Sequence, residues 1–347
     1  MEKKIISILK YFSFFAYYPT FEEIHTFLQA KISKNELNIE LDYMVKLKLI
    51  ELYARYTPPQ YSIKPIQKSK VKSQNLKSKL KNNNNIAIEQ YNNPLKKQKL
   101  SQSKLNSPKF KLYIKLLALF PQIKLVGLSG SISMMNAGED DDIDLFIITA
   151  KNRLFTGRLI SLLLAQILGL RRNREAQISI FSTATPQRGP WRLSQKQKSA
   201  LPPNNETMKQ LNNKVRDKIC LNLFFDESNL KVPKFKQTEF VGHEVLQMKP
   251  VIAKSNIYER FLEANEWVFK LFPNAFPVIP AFTLSSIEGE AGIQTKITIF
   301  NISDKIEQLL KKFQLRLINK HKTTEIITPT QLWFHPDDFE KKINTGS

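Results

Sequence analysis

The stretch that decides the fold of this chain is "GLSGSISMMNAGEDDDIDLFIIT", residues 127–149. It sets a Gly-Ser turn, four consecutive acidic residues (139–142) and the apolar run "IDLFIIT" side by side, in a chain whose formal net charge is +22. One strand is expected to end at the Gly-Ser turn, and a second to begin after the acidic residues. The acidic residues therefore need either a solvated loop or a bound cation beside a buried strand.

Asp142 and Asp144 are the two acidic residues placed for chemistry. On a strand, residues i and i+2 face the same side, so both carboxylates project together while the alternate residues face a core. Two carboxylates on one face are costly unless a positive group lies between them, and Mg²⁺, which prefers hard oxygen ligands, meets that need. Residues 139–141 are expected to form a solvated loop.

Gly130 and Ser131 precede Asp142, with ten residues between Ser131 and Asp142. Glycine lets the backbone approach a ligand closely, and serine adds a hydroxyl and an amide for phosphate oxygens. Together with the two aspartates, these residues predict a site for a nucleoside triphosphate with its metal ions, where a phosphoryl centre is attacked in line.

This spacing resembles the signature of the nucleotidyltransferase superfamily related to DNA polymerase beta. That signature is a hydrophobic residue, Gly, then Gly or Ser, a spacer, and Asp-hydrophobic-Asp/Glu-hydrophobic; here it reads "LSGS", ten residues, "DIDL". The chain is also similar to a bacterial group with an N-terminal winged-helix domain, whose tail has stretches like "HEVLQMKP", "YERFLEANEWV" and "LWFHPDDF". The resemblance implies that Asp142 and Asp144 bind Mg²⁺, with two ions possible, and that Gly130 and Ser131 hold ATP or another nucleoside triphosphate.

The resemblance also implies a third carboxylate on a later strand, which helps the acceptor hydroxyl to lose its proton. The matching strand is "KICLNLFFDES", and the equivalent position is Asn222. Asparagine can ligate a metal weakly or donate a hydrogen bond, but it cannot act as a base. Asp226 and Glu227 follow closely and could replace it if the strand ends early.

The fold class expected for the chain is α+β, in four regions. Residues 1–63 have the order of a winged helix-turn-helix, which is three short helices and a hairpin, with capping boxes at the second and third helices. Residues 64–108 form a Lys- and Asn-rich linker, whose composition predicts a disordered or loosely helical tether. Residues 109–235 correspond to the nucleotidyltransferase domain with its mixed sheet and helices, and residues 236–347 to a mostly helical C-terminal region.

Charge and composition limit the classes of partner and the location that we expect for this chain. The chain has 53 Lys and Arg residues against 31 Asp and Glu, and a positive surface attracts nucleotides, nucleic acid or acidic proteins. DNA or RNA binding through the winged helix and the basic linker competes with a protein-docking role, because the third helix also carries acidic residues. A single cysteine suits the cytoplasm. The most apolar window, residues 159–170, is shorter than the ~20 residues that cross a bilayer, so we expect no membrane segment.

Two functions follow as hypotheses. The first is a Mg²⁺-dependent nucleotidyltransferase that transfers a nucleoside monophosphate to a hydroxyl and releases pyrophosphate, with a small molecule, a tRNA end or a protein side chain as acceptor. The second is a non-catalytic DNA-binding or nucleotide-sensing regulator on a degenerate nucleotidyltransferase fold. Arg153 and Arg158 could neutralise phosphate or lie on the surface, and His243 and Glu244 could line the pocket or pack elsewhere.

Overall fold

The computed structural model describes residues 1–54, 56–63, 94–171, 218–275, 304–321 and 325–334. Over these residues the chain is α+β, as expected, with eleven α-helices, a two-stranded sheet and a six-stranded mixed sheet. Residues 64–93 of the expected linker lie outside the described ranges.

The N-terminal unit contains the expected elements in the expected order. They are α1 (Glu2–Phe14), α2 (Phe21–Phe27), α3 (Lys34–Lys46), β1 (Ile50–Tyr53) and β2 (Gln60–Ile63). Both predicted capping boxes are present, at Thr20 before α2 and at Ser33 before α3. The two strands pair antiparallel as a hairpin.

The central part of the chain supplies the strands that carry the acidic motif. Its elements are α4 (Pro94–Leu105), α5 (Pro108–Leu119), β3 (Ile123–Ser129), the short α6 (Gly130–Ser133), β4 (Ile143–Thr149), α7 (Leu154–Ile167) and β5 (Ile219–Asp226). The most apolar helix is α7, and it packs on the core of the sheet. No helix in the described ranges has both the length and the apolar character needed to cross a bilayer.

The C-terminal part alternates short helices with strands. After a 3₁₀ turn (Lys234–Lys236) come α8 (Glu239–Gln247), β6 (Lys249–Ala253), α9 (Ile257–Ala264), α10 (Trp267–Leu271), α11 (Asp304–His321), β7 (Ile326–Ile327) and β8 (Gln331–Trp333). The sequence "FVGHEVLQMKPVI" has helical periodicity, but its last residues, "KPVI", belong to the strand β6. Pro250 accounts for this difference, because a proline disfavours helical geometry at the preceding residue and is tolerated on an edge strand.

The large sheet joins regions that the sequence analysis separated. Its strand order is β6-β3-β4-β5-β8-β7, with β4 and β5 parallel and the other neighbours antiparallel. Strands β6 and β8 come from residues assigned to a helical C-terminal region. The sheet therefore takes strands from both sides of the expected boundary between residues 235 and 236.

The N-terminal unit shares a core with the rest of the chain. Phe272 and Ala275 are buried in the same cluster as the residues of α1, α2 and α3. The Asn274 side chain donates to the Ala30 carbonyl at 2.7 Å, and the Asn136 side chain donates to the Phe15 carbonyl at 3.0 Å. Residues 1–63 are thus built into the body of the protein.

The last part of the expected linker contains the helix α4, which packs against the rest of the chain instead of forming a solvated tether. Lys97, Ser101 and Lys104 are buried on one face of this helix. The Lys97 ammonium donates to the Ala16 carbonyl at 3.0 Å, and the Ala137 amide donates to the Ser101 hydroxyl at 3.0 Å. A lysine-rich composition does not exclude burial when the ammonium finds a carbonyl and the aliphatic stem packs.

Candidate functional site

The Gly130 turn lies directly against Asp144. Ser129, the last residue of β3, is the antiparallel partner of Asp144 on β4, so the following glycine passes beside that carboxylate. Gly130 has φ +62°, and a Cβ at this position would stand 2.8 Å from Asp144 Oδ2. Glycine therefore suits this position, through its left-handed backbone and the space its missing side chain leaves.

Asp142 and Asp144 line the same cleft, which has a volume of about 870 Å³. Asp142 immediately precedes β4 and Asp144 is its second residue; both are half-buried, whereas Ile143 and Leu145 are buried in the core. The alternation expected from the sequence is present, and it brings both carboxylates and the Gly130 turn into one cavity.

The acidic loop before β4 is held by hydrogen bonds. Exposed Asp141 accepts from the Ser131 hydroxyl at 3.0 Å and from the Gly138 amide at 2.9 Å. Ser131 lines the cleft as expected, but in this structure its hydroxyl is directed to the loop.

Helix α4 supplies the positive charge that faces this loop. The Lys104 ammonium donates to the backbone carbonyls of Glu139 at 3.1 Å and Asp141 at 2.8 Å. Lys96 forms an ion pair with the Glu139 carboxylate at 3.0 Å. The first acidic residues of the motif are therefore balanced by lysines of the same chain.

Asn222 lies next to Asp144, at the position expected for a third acidic group. Its amide Nδ2 donates to Asp144 Oδ1 at 2.7 Å, and its Oδ1 accepts from Cys220 Sγ at 2.7 Å. The β4–β5 register shifts here, because Leu145 pairs with Leu221 and the next β4 residue pairs with Leu223. The bulged asparagine acts as a hydrogen-bond donor to the carboxylate, and it adds no negative charge.

Asp226 is wrong as a replacement for that third group. It pairs with Thr149, five residues along β4 from Asp144, which is a separation of roughly 16 Å. Its carboxylate accepts from the Ser228 hydroxyl at 2.6 Å and closes a turn. Glu227 accepts from the backbone of a neighbouring loop at the same far end of the strand.

Arg153 and Arg158 are also engaged away from the carboxylates. The Arg153 guanidinium pairs with Asp304 at 2.7 Å, and Arg158 donates to the Gln314 side chain at 2.7 Å. Both contacts tie the start of α7 to α11, so these arginines have structural partners outside the cleft.

Glu244 is the acidic group at the site that the sequence analysis left undecided. Half-buried on α8, it lines the cleft, and its Oε2 accepts from the Gly130 amide at 3.3 Å. Burial raises the pKa of the Glu244 carboxyl to about 7, against the lowering effect of the Gly130 hydrogen bond. Its signal in the sequence is a single charged residue within the apolar stripe of "FVGHEVL".

His243, the neighbour of Glu244, does not line the cleft. The imidazole is fully buried and stacks between the rings of Tyr11 and Phe27, at centroid distances of 3.8 and 4.1 Å. It belongs to the contact between α8 and the N-terminal helices.

Asp142 and Asp144 are two carboxylates in one cleft, and their number can be compared with the ligands that a magnesium ion uses. No group of three or more His, Cys, Asp or Glu side chains in the described part of the chain is placed to hold a metal ion. Mg²⁺ commonly uses one or two carboxylates and completes its shell with substrate phosphates and water. Asp142 and Asp144 match that donor set for one ion, whereas the Asn222 amide, which donates to Asp144, gives no support for a second.

Comparison of the chain with known protein families, with curated proteins and with solved structures found no match.

Proposed function

We propose that this protein is a Mg²⁺-dependent nucleotidyltransferase of the superfamily related to DNA polymerase beta, which transfers a nucleoside monophosphate from a nucleoside triphosphate to a hydroxyl. The observation that carries the proposal is the contact between the left-handed Gly130 turn and Asp144, with Asp142 in the same cleft. A turn without a side chain admits phosphate oxygens, and the adjacent carboxylates suit the cation that accompanies them.

Each residue has a distinct part in this reaction. Asp142 and Asp144 would hold the magnesium ion, which supplies neutralisation of charge on the phosphates. The backbone at Gly130 and Ser131 would orient the triphosphate. The acceptor oxygen forms a bond to the α-phosphorus, the bond from that phosphorus to the bridging oxygen breaks, and pyrophosphate leaves with the bonding electron pair.

The hydroxyl proton needs a base, and Glu244 is the candidate. Asn222 cannot accept it, and Asp226 lies at the other end of the strand. Glu244 faces the cleft, and a pKa of about 7 suits a group that accepts a proton near neutral pH. Transfer should therefore increase as the pH rises through about 7, and Glu244→Gln should lower kcat at least about a hundredfold while leaving nucleotide affinity nearly unchanged.

Calorimetric titration with ATP, with and without Mg²⁺, tests the nucleotide site, and radiolabelled triphosphates test turnover. The double variant Asp142→Asn plus Asp144→Asn should lose Mg²⁺-dependent binding. Asp140→Asn is the matched control, because it removes one exposed carboxylate of the same loop. If the wild-type chain binds none of the four common ribonucleoside triphosphates in the presence of Mg²⁺, the proposal fails.

The second candidate is a non-catalytic regulator, favoured by the contacts that already occupy the site. The Asn222 amide donates to Asp144, and Glu244 accepts from the Gly130 amide. For such a regulator, the N-terminal unit would be a winged helix. Its α3 exposes Ile39 and Tyr43, an apolar face that favours protein docking over phosphate binding. Salt-dependent DNA binding that survives loss of both aspartates, without any transfer, would support the regulator.

A further inference from the structure

Beyond the carboxylates, the same cleft becomes apolar. Phe146 follows Asp144 on the same face of β4, and Phe225 and Trp333 continue this face on β5 and β8. Their rings contact one another, with centroids 5.1 Å apart for Phe146 and Phe225, and 5.3 Å apart for Phe225 and Trp333. This side of the cleft is therefore a packed aromatic wall.

The opposite wall is apolar as well. Val241 and Val245 of α8 line the cleft one turn apart, and Phe261 of α9 lines it too, with its ring centroid 5.1 Å from that of Phe146. Among the α8 residues that line the cleft, Glu244 alone is charged, and its carboxylate is directed to Gly130. The part of the cleft that these residues line is here named the apolar chamber; its lining is largely buried, and it continues into the part that the carboxylates line.

We propose that the apolar chamber binds the carbon framework of the acceptor, a small alcohol with an aromatic or aliphatic body, whose hydroxyl lies between Asp144 and Glu244. This inference rests on the proposed nucleotidyltransferase function and names its acceptor class.

Two physical arguments select this class of acceptor. A sugar or a tRNA end would bring many hydroxyl and phosphate groups into contact with Phe146, Val245 and Trp333, which offer an apolar lining, and each unpaired polar group would cost free energy. A cleft of about 870 Å³ with polar groups at one end is instead typical of a small, largely apolar ligand held by a few polar contacts.

The test uses the full chain and N-phenyl-1-naphthylamine, an uncharged probe whose fluorescence rises in apolar surroundings. Val245→Trp fills the chamber without changing a carboxylate, and we expect it to weaken probe binding at least about tenfold. Leu163→Trp is the matched control, because it adds the same ring on the exposed face of α7, where Leu163 is 51% exposed. It should bind the probe within about twofold of wild type.

Competition and transfer identify the ligand as an acceptor. Geraniol and 2-naphthol should displace the probe, whereas glucose should not. With an α-labelled triphosphate and Mg²⁺, the wild-type chain should label the two apolar alcohols and leave glucose unlabelled. Val245→Trp should lose this labelling and keep its affinity for Mg²⁺-ATP. If Val245→Trp has a lowered unfolding midpoint, Val241→Phe, a smaller addition to the same wall, is tested for the same loss of probe binding and labelling.

The outcomes separate this inference from the function on which it rests. Intact Mg²⁺-ATP binding, with probe binding that is unchanged in both Val245→Trp and Val241→Phe, overturns the apolar chamber and leaves the nucleotide site standing. Labelling of glucose in preference to both apolar alcohols also overturns the acceptor class. Probe binding that depends on Val245, in a wild-type chain that binds no Mg²⁺-ATP, removes the nucleotidyltransferase function, and the acceptor assignment fails with it.

Discussion

Replacing His243 by phenylalanine should stabilise the protein, and the gain over the wild type should be larger in mild acid. The imidazole is fully buried between Tyr11 and Phe27, and neither ring nitrogen has a hydrogen-bond partner within the described residues. Burial lowers the pKa of His243 well below its usual value. The site therefore suits an uncharged ring, and a phenyl group has nearly the same shape without the polar atoms.

The magnitude follows from two separate costs. A buried polar group without a partner costs about 1–3 kcal/mol, which the phenyl ring avoids at any pH. As the pH falls below about 6.5, the unfolded chain takes up a proton that the native imidazole excludes, so stability decreases on acidification. Between pH 7.5 and 5.0 this linkage removes about 2 kcal/mol from the wild type, and His243→Phe should not lose it.

Urea unfolding, followed by far-ultraviolet circular dichroism at the two pH values, measures both contributions to stability: the cost of the unpaired imidazole, which is present at any pH, and the loss on acidification. Glu244 has the opposite dependence, since its raised pKa of about 7 favours the native state at low pH. Both proteins share that contribution, so it cancels from their difference. His25→Gln is the control, because His25 is only partly buried and its Nε2 lies 3.0 Å from the Ile32 carbonyl oxygen. A stability difference between wild type and His243→Phe that is the same at both pH values would refute the reasoning.

Three further predictions concern the motif and its supports. Gly130→Ala should cost about 1–2 kcal/mol of stability and abolish Mg²⁺-ATP binding measured by calorimetry, because the new Cβ displaces Asp144. Gly169→Ala is the control: this glycine has φ +66°, and a Cβ there has no atom within 4 Å. It should cost the same stability and leave ATP binding intact. Asn222→Asp should lower the thermal midpoint without Mg²⁺, by the equivalent of about 1–3 kcal/mol, and added Mg²⁺ should raise that midpoint more than in the wild type. Lys104→Met should cost about 1–3 kcal/mol in urea unfolding and speed proteolysis of the acidic loop, since two backbone carbonyls lose their donor.

The strand–turn–strand around the acidic motif could be predicted because its signals are local. Alternation along β4 identifies Asp144 as a carboxylate that shares a face with its neighbour two residues before, and a glycine before a helical turn marks the left-handed position. The capping boxes that begin at Thr20 and Ser33 are equally local, because each is completed within four residues.

The supports of the site could not be predicted, because they depend on contacts between distant parts of the chain. Glu244 lies 114 residues after Gly130, and Lys104 lies 37 residues before Asp141. The lysine-rich composition around α4 indicates a solvated segment when it is read alone. Burial of Lys104 becomes favourable only when α4 packs against the acidic loop, because the ammonium then donates to backbone carbonyls of that loop.

Helix α8 connects the N-terminal unit to the cleft through two consecutive residues. Successive side chains on an α-helix point about 100° apart, so a single rotation of the helix sets the direction of both. His243 is enclosed by the rings of Tyr11 and Phe27, whereas Glu244 reaches Gly130 on the other side. The packing of His243 therefore fixes the rotation of α8 that brings Glu244 to the cleft. The N-terminal helices therefore act as part of the scaffold of the site.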